Sequence, residues 1–453
     1  MTDVSALWEV GLPLAGTAGG LGYARARAPR VFWSLVGLPV TRVRFAMTYH
    51  ATMDVCGLTV QPSRLRAFVV RNVVRRSDVQ PVPPRVRRVR GTSTGLRVTL
   101  RLPAGLEPAD VMAASERLRH AWGVHSVNVV ETKPGFVELR MTGYDVLKRV
   151  RMPRRRPSGL MVVPVALRED GSAFVRDYLK VPHALTLGAN QSGKSMYQRN
   201  LIAGLARLPV ALVGIDCKRG VEHRSYAARL SALAITPEEA DGLLDGLVGE
   251  MEERFDLLSR YGVADIWDLP EHVRPAPVVV LVDEVAELFL VVTRKDEERR
   301  DRMVTQLIRL GQMARAAGIF LEVCGQRFGS DLGKGATALR AQLTGRTVHR
   351  VNDKQTAEMG VGDIAPDAVA TVLAIPPDRP GVAVAGDTSG GWSRIRTPEL
   401  TAREAAAICA KYAHLAPDLP AVEAYRPGGL DALDGIPVDP EPVPLVKPTP
   451  TTA

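Results

Sequence analysis

The sequence has few cysteines and few aromatic residues. The four cysteines are far apart in a chain of 453 residues, at Cys56, Cys217, Cys324 and Cys409. This spacing suits neither a disulfide framework nor a zinc site, so we expect free thiols in a reducing compartment. Aromatic residues make up only 5% of the chain, which argues against recognition of single-stranded nucleic acid by base stacking.

The N-terminal segment, residues 1–48, lacks an apolar run long enough to span a membrane. Its two apolar runs, 10–23 and 31–40, are each shorter than the roughly 18–20 residues that a spanning helix requires. The charged region and cleavage site of a signal peptide are not evident either. A two-helix hairpin, an interfacial anchor and a buried segment of a folded domain all remain open. We expect a cytoplasmic protein, with contact at the inner face of the cell membrane as the favoured alternative.

Positive charge exceeds negative charge, with 59 Lys and Arg against 49 Asp and Glu and a formal net charge of +10. The basic residues cluster in two runs: Arg64, Arg66, Arg71, Arg75, Arg76, Arg85, Arg87, Arg88 and Arg90, then Lys148, Arg149, Arg151, Arg154, Arg155 and Arg156. Such runs suit a phosphate backbone or an anionic membrane surface, and equally a solvated linker.

Residues 188–195 fit the phosphate-binding loop G-x-x-x-x-G-K-[ST] at every defined position. Residues 184–187 predict a buried strand before the loop and residues 196–203 a helix after it, which is the context that the motif requires. Backbone N–H groups of the loop are expected to bind the phosphates of ATP. Lys194 is predicted to reach the β- and γ-phosphates, and Ser195 to hold Mg²⁺. The nucleotide-binding residues are then Gly188, Ala189, Asn190, Gln191, Ser192, Gly193, Lys194 and Ser195.

A second motif predicts hydrolysis of the bound nucleotide. Residues 278–282 read V-V-V-L-V, which is typical of a parallel strand buried on both faces. Asp283 and Glu284 follow at the carboxyl end of this strand, where nucleotide sites form in open α/β sheets. We predict that Asp283 contacts Mg²⁺ through water, and that Glu284 is the base that polarises the attacking water.

The remaining pattern predicts an α/β protein with two folded parts. Residues 92–145 predict a small α/β module, with a helix over 107–122 and strands at 95–102, 126–130 and 136–140. Beyond residue 160, strands alternate with helices, which predicts a mostly parallel sheet. Its further strands are expected at 210–215 and 320–324, with edge strands at 369–375 and 381–385.

Several blocks of the sequence resemble the FtsK/SpoIIIE family of double-stranded DNA translocases. They occur in the family's order over about 240 residues, and the small module with Val127–Glu131 resembles the domain that precedes the family's motor. The blocks are Pro182-His183-Ala-Leu, Ile215-Asp216-Cys-Lys218-Arg219, Glu250–Phe255, Val282–Leu288, Gln312–Ile319 and Gln326-Arg327.

This resemblance implies a hexameric ring that encloses double-stranded DNA and moves it by ATP hydrolysis. The nucleotide sites would lie between subunits. Gln326 would be the polar sensor of the γ-phosphate, and either Arg315 or Arg346 would act on the neighbouring subunit's ATP; the motifs do not choose between the two arginines. Asn190 and Gln191 depart from the family's small or hydroxyl residues, and Phe328 from its proline.

The resemblance implies a RecA-like P-loop NTPase domain preceded by the small α/β module. We predict a membrane-associated segment as one possibility for 1–48, the module with its Arg-rich lead-in over 49–151, a basic linker over 152–159, the motor over 160–400, and a helical then proline-rich, disordered tail over 401–453. We expect no counterpart of the family's winged-helix domain or of its long membrane anchor.

These features are similar to family members carried on actinobacterial mobile elements. We therefore predict a ring-forming DNA translocase that transfers a plasmid or integrative element between cells. A chromosome-segregation or cell-division DNA pump and a secretion-system ATPase that moves polypeptide are the alternatives.

Overall fold

The structure is a computed structural model that describes residues 23, 25–61, 81–153, 159–364, 368–388 and 391–428. These residues form two compact units. The first contains the described residues up to 153 together with Ala166–Phe174 and Gly391–Pro398, and the second contains the rest. Arginines of the basic runs at 64–76 and 154–156, and the proline-rich segment after 428, lie outside the described residues.

The first unit contains a helix packed on a small antiparallel sheet. Pro29–Phe32 and a π-helical turn, Trp33–Gly37, lead into its first long helix. Its elements are α1 (Leu38–Val55), β1 (Arg85–Gly91), β2 (Gly95–Arg101), α2 (Pro108–Ala113), α3 (Ser115–Trp122), β3 (Ser126–Lys133) and β4 (Phe136–Thr142). The strand order is β1-β2-β4-β3. Strands β2, β3 and β4 confirm the predicted strands, whereas the predicted helix over 107–122 is interrupted at Ala114.

Helix α1 belongs to the core of this module. Phe45, Tyr49 and Met53 recur every four residues, so they share one face of the helix, and all three are buried in the core. The rings of Phe45 and Trp122 lie 5.0 Å apart. The Tyr49 hydroxyl donates a hydrogen bond to the carbonyl of Pro84 at 2.7 Å. The boundary predicted at residue 48 therefore falls inside a helix of the folded module.

The described helices give no membrane span. None of them is long and apolar enough to cross a bilayer. The second apolar run, 31–40, contains the buried side chain of Trp33 and extends into the first residues of α1. Most of the first run, 10–23, lies outside the described residues, so membrane contact through it stays a prediction.

Strand β1 is an element that the sequence did not predict, because its composition indicated only a basic run. It reads R-V-R-R-V-R-G and pairs antiparallel with β2. Val89 on this strand packs against the core. Val86 and Val89 are three residues apart, and a bulge between Val86 and Arg88 places them opposite the buried Leu100 and Val98. This arginine-rich segment therefore pairs as a strand, although its composition resembles that of a linker.

The second unit is built on a mostly parallel sheet, as predicted. Strands β5 (Val162–Arg168) and β6 (Ala173–Asp177) come before it in the chain. Its strands are β7 (Ala184–Leu187), β8 (Ala211–Ile215), β9 (Ala232–Ala234), β10 (Val278–Val282), β11 (Ile319–Gly325), β12 (Gly345–His349) and β13 (Val382–Gly386). They follow the order β13-β12-β7-β11-β10-β8-β9, and only β13 runs antiparallel to its neighbour β12. Strand β14 (Trp392–Arg396), which belongs to the first unit, pairs antiparallel with the end of β5.

The first five helices of this unit lie between successive parallel strands, and the other three come after the last of these strands. The helices are α4 (Lys194–Leu205), α5 (Pro237–Tyr261), α6 (Val285–Phe289), α7 (Arg294–Met313), α8 (Ala336–Gln342), α9 (Lys354–Ala357), α10 (Ala368–Leu373) and α11 (Ala402–Lys411). The strand predicted over 369–375 is wrong, because this segment forms α10. Its buried side chains, Ala368, Val369 and Val372, fall on one face of a helical turn. The strand predicted over 381–385 is confirmed by β13, but its predicted position at the edge of the sheet is wrong.

Candidate active site

The phosphate loop connects β7 to α4, and its backbone has the curvature that glycine permits. Gly193 has a φ of 102°, and a Cβ atom at this position would lie 2.1 Å from the backbone nitrogen of Gly381. No other residue fits there without moving the loop. Gln191 also lies in the left-handed region, with a φ of 59°. The loop is therefore held in a strained, tightly curved form.

Neighbouring strand ends anchor this loop. The backbone N–H of Gly188 donates to the carbonyl of Gly325 at 3.2 Å, and the N–H of Ala189 donates to the carbonyl of Arg350 at 2.9 Å. The Arg350 side chain also donates to the carbonyl of Asn190 at 3.1 Å. Because the anchors follow or end strands β11 and β12, the sheet itself fixes the position of the loop.

A cavity of about 270 Å³ opens over the loop. The residues that line it are Ala189, Asn190, Gln191, Gly193, Lys194, Ser195, Met196, Arg199 and Pro380. Helix α4 begins at Lys194, so the free N–H groups of its first turn lie beside this cavity. The buried hydroxyl of Ser192 has no hydrogen-bond partner among the described residues. The free amide donors and the two cationic side chains, Lys194 and Arg199, fit a polyphosphate.

The two sequence motifs meet at the carboxyl ends of the parallel strands. The Nζ atom of Lys194 lies 3.1 Å from Oε2 of Glu284, and both side chains are largely buried. The backbone N–H of Gln326 donates to the other oxygen, Oε1 of Glu284, at 3.2 Å. Both oxygens of this carboxylate are therefore held in place, which gives the side chain a fixed orientation.

Asp283 is buried at the end of β10. Burial raises the pKa of its carboxyl above the usual value, while the nearby His223 and Lys194 lower it. Lys218 adds positive charge, with its Nζ atom 3.9 Å from Asp283 and 3.6 Å from Glu284. Two lysines therefore lie beside the acidic pair: Lys194 at the start of α4 and Lys218 in the loop after β8.

The loop after β8 brings a carboxylate to the site that sequence reasoning missed. The Ser195 hydroxyl donates to Oε1 of Glu222 at 3.2 Å. Arg199 lies 3.6 Å from the other oxygen of Glu222. Asp216 holds this loop, since its carboxylate accepts the backbone N–H of Glu222 at 2.8 Å and that of His223 at 3.1 Å. The available signal was the position of Asp216, directly after a buried strand, as Asp283 is.

Gln326 lies at the site, whereas the two candidate arginines do not. Gln326 follows β11 and its side chain is exposed beside the acidic pair. Arg315 comes before the same strand, so the length of β11 separates them, about 23 Å at about 3.3 Å per residue. Arg346 pairs in register with Leu185 on β7, before the phosphate loop begins. Neither arginine therefore reaches the phosphate loop of its own chain.

The two arginines differ in exposure. Arg315 is exposed after the end of α7. Arg346 is buried, and it donates through Nη2 to the carbonyl of Arg340 at 2.9 Å. Burial, together with the charge of Arg340, lowers the pKa of Arg346 to about 10. Of these two arginines, only Arg315 has an exposed side chain.

Known protein families match residues in both units of this chain. The family described as actinomycete conjugal transfer protein N-terminal domain matches residues 19–143, and the FtsK/SpoIIIE family matches residues 146–275 and 267–330. The transfer protein TraSA of Streptomyces ambofaciens is 55% identical over 422 residues, which cover 91% of this chain and 100% of that protein.

More distant relatives share the motor. A DNA translocase FtsK of Lactococcus lactis is 29% identical over 281 residues, which cover 56% of this chain but only 36% of the translocase. A solved structure of the pCW3 conjugation coupling protein TcpA, a monomer form with ATPγS, has a TM-score of 0.51 at 19% identity. It covers 70% of this chain and 88% of the solved chain. At this identity the likeness shows the fold, a P-loop ATPase.

Proposed function

Because this chain belongs to the FtsK/SpoIIIE family, we propose that it is a ring-forming ATPase that moves double-stranded DNA from one cell to another. The observation that carries the catalytic part is the contact between Lys194 and Glu284, 3.1 Å apart at the carboxyl edge of a parallel sheet. The transfer role rests on the 55% identity with a whole transfer protein. Residues 160–400 are the motor in this proposal.

The phosphate loop and Lys194 bind the phosphates of ATP. Ser195 and Asp283 supply the oxygen atoms that Mg²⁺ prefers, and the ion would neutralise charge on the phosphates. Among the described residues no group of three or more His, Cys, Asp or Glu side chains is arranged to hold a metal. Mg²⁺ is commonly held by one or two carboxylates together with substrate phosphates.

Glu284 is the general base in this proposal. Its ion pair with Lys194 belongs to the protein before ATP binds. Lys194 has to leave Glu284 when it takes the phosphates, which frees Oε2 of that carboxylate to accept a proton from water. The Gln326 N–H still holds Oε1, at 3.2 Å, and so keeps the carboxylate oriented. Lys218, 3.6 Å from Glu284, keeps positive charge near the carboxylate after Lys194 has moved to the phosphates.

An arginine from the neighbouring subunit completes the site in this proposal. Arg315 is the better candidate of the two, because it is exposed. Arg346 would first have to leave a buried position and its hydrogen bond to Arg340. A guanidinium acting in trans stabilises the charge that develops on the transferred phosphoryl group.

The proposed function is tested by ATP hydrolysis with different polymers added. Double-stranded DNA of unrelated sequences should stimulate the wild-type protein, and single-stranded DNA or unfolded polypeptide should not. The Lys194→Ala protein should show no turnover with any of them. Stimulation by polypeptide alone would favour a secretion ATPase and overturn the DNA proposal.

A further inference from the structure

The small sheet of the first unit presents one face to its core and one to solvent, and the solvent face is strongly basic. The exposed or half-buried basic residues on it form what is called here the arginine face: Arg85, Arg88, Arg90, Arg97, Arg101, Lys133 and Arg140. We propose that the arginine face binds the phosphate backbone of double-stranded DNA, as a second contact besides the motor. This inference rests on the proposed function only in its choice of polymer.

The strand register places like charges directly opposite one another. Arg90 on β1 lies opposite Arg97 on β2, which in turn lies opposite Arg140 on β4. Farther along the same strands, Arg85 lies opposite Arg101. Like charges directly opposite in an antiparallel pair destabilise a sheet. A fold that carries two such rows gains from a polyanion that neutralises both.

Little acidic charge on the chain offsets these rows. Arg140 pairs with Glu138 at 2.8 Å, and Arg97 pairs with Asp170 at 3.3 Å. Among the described residues, no carboxylate forms an ion pair with Arg85, Arg88 or Arg101. These three guanidiniums are exposed, so they are the groups available to an incoming phosphate.

The form of the face suits a polyanion better than a lipid surface. Successive side chains on one face of a strand are about 7 Å apart, since two residues of a strand span that length. A protein that lies on a bilayer inserts apolar side chains, but the apolar Phe136 here is half-buried beneath Arg101 and Lys133, with cation-to-ring distances of 6.0 and 4.3 Å. Arginine also binds phosphate through a planar fork of donors.

The exposed aliphatic side chains of this unit lie elsewhere. Val40, Val43 and Met47 are exposed on α1, whose other face packs against the core side of the sheet. A lipid surface would be expected to use that helix. The arginine face and α1 therefore point to opposite sides of one module, and they can be tested separately.

The test is binding of the full chain to a labelled duplex of arbitrary sequence, across a salt series, with ATPγS present. The variant replaces Arg85, Arg88 and Arg101 with Gln. Each phosphate interaction that the variant removes should reduce the slope of log affinity against log salt by about 0.9, and should weaken binding about eightfold at about 0.1 M salt. If all three arginines contact phosphate, the slope should fall by about 2.7.

A matched variant controls for net charge. Arg42, Arg44 and Arg117 are exposed on the helices of the same unit, so replacing them with Gln removes the same charge from outside the face. It should bind the duplex as the wild type does. The face variant should unfold at the same or a higher temperature, because it relieves like-charge pairs, and its ATP hydrolysis without DNA should be unchanged.

The outcomes separate this inference from the proposed function. A face variant with wild-type affinity and slope would overturn the arginine face and leave the motor proposal standing. A wild-type protein that hydrolyses ATP but binds no duplex at any salt concentration would overturn both. Loss of binding to vesicles of phosphatidylglycerol and phosphatidylcholine, with duplex binding intact, would show that the face binds lipid instead.

Discussion

Replacing Glu284 with Gln should tighten the binding of ATP and slow its hydrolysis. In the resting structure Lys194 contacts the Glu284 carboxylate at 3.1 Å, and the two side chains are 12% and 5% exposed. ATP has to draw Lys194 away from this partner. The variant weakens the competing interaction and should therefore bind ATP more tightly than the wild type.

The size of both effects can be worked out. A hydrogen bond to a charged group contributes about 1.5–3 kcal/mol, and because Gln keeps an oxygen acceptor for Lys194, we take about 1.5 kcal/mol as the loss. That corresponds to about tenfold tighter binding. Hydrolysis loses its general base, so kcat should fall by about 10²–10⁴.

The assay is a calorimetric titration with ATPγS beside steady-state turnover of ATP. Glu253→Gln, at an exposed position on α5, removes one negative charge away from the site and should change neither measurement. Turnover of the Glu284→Gln protein within a few-fold of wild type would refute its role as base. Unchanged or weaker binding of ATPγS would refute the competition between Glu284 and the phosphates.

Three further predictions concern the inter-subunit arginine, the phosphate loop and the buried histidines. Arg315→Ala mixed with Lys194→Ala should recover ATP hydrolysis that neither protein has alone, and no recovery in co-assembled mixtures would count against Arg315 acting in trans. Gly193→Ala should abolish binding of ATPγS in the titration while circular dichroism stays native, since the backbone φ of 102° and the close contact behind it exclude a side chain. Burial lowers the pKa of His183 to about 3 and of His349 to about 4, so the folded state resists protons that the unfolded chain binds below about pH 6.5. Stability should therefore fall as the pH drops from about 6.5 toward 4, measurable as a lower Tm at pH 5 than at pH 7, with a smaller drop in the His183→Asn protein; equal Tm values for the wild type would contradict this.

Local patterns were sufficient to locate the phosphate loop and the acidic pair. The loop needs a strand, a glycine-rich turn and a helix that follow one another in sequence, so residues 184–205 are enough to recognise it, although Gly325 and Arg350 hold it in place. The run of five apolar residues at 278–282 likewise identifies a buried strand, and Asp283 and Glu284 come next. That both motifs end at one sheet edge follows from the parallel arrangement that alternating strands and helices predict.

Other features depend on contacts between distant parts of the chain. Glu222 is a loop residue with no motif of its own, and it reaches Ser195 because β8 lies beside β10 in register and Asp216 folds the loop back. The exposure of Arg315 and the burial of Arg346 likewise depend on packing, which the family pattern does not specify.

The sequence by itself determined the fold class, the phosphate loop and the acidic pair, because each is written in consecutive residues with one hydrophobic period. Only the tertiary structure decided that α1 belongs to the small module, that residues 368–373 are helical, and that the arginines of β1 form rows with those of β2 and β4. In each case the decisive term is burial or pairing against residues far away in the chain. Most side chains of β1 are arginines, so this strand is recognised only from its pairing with β2 and from the packing of Val89 against the core.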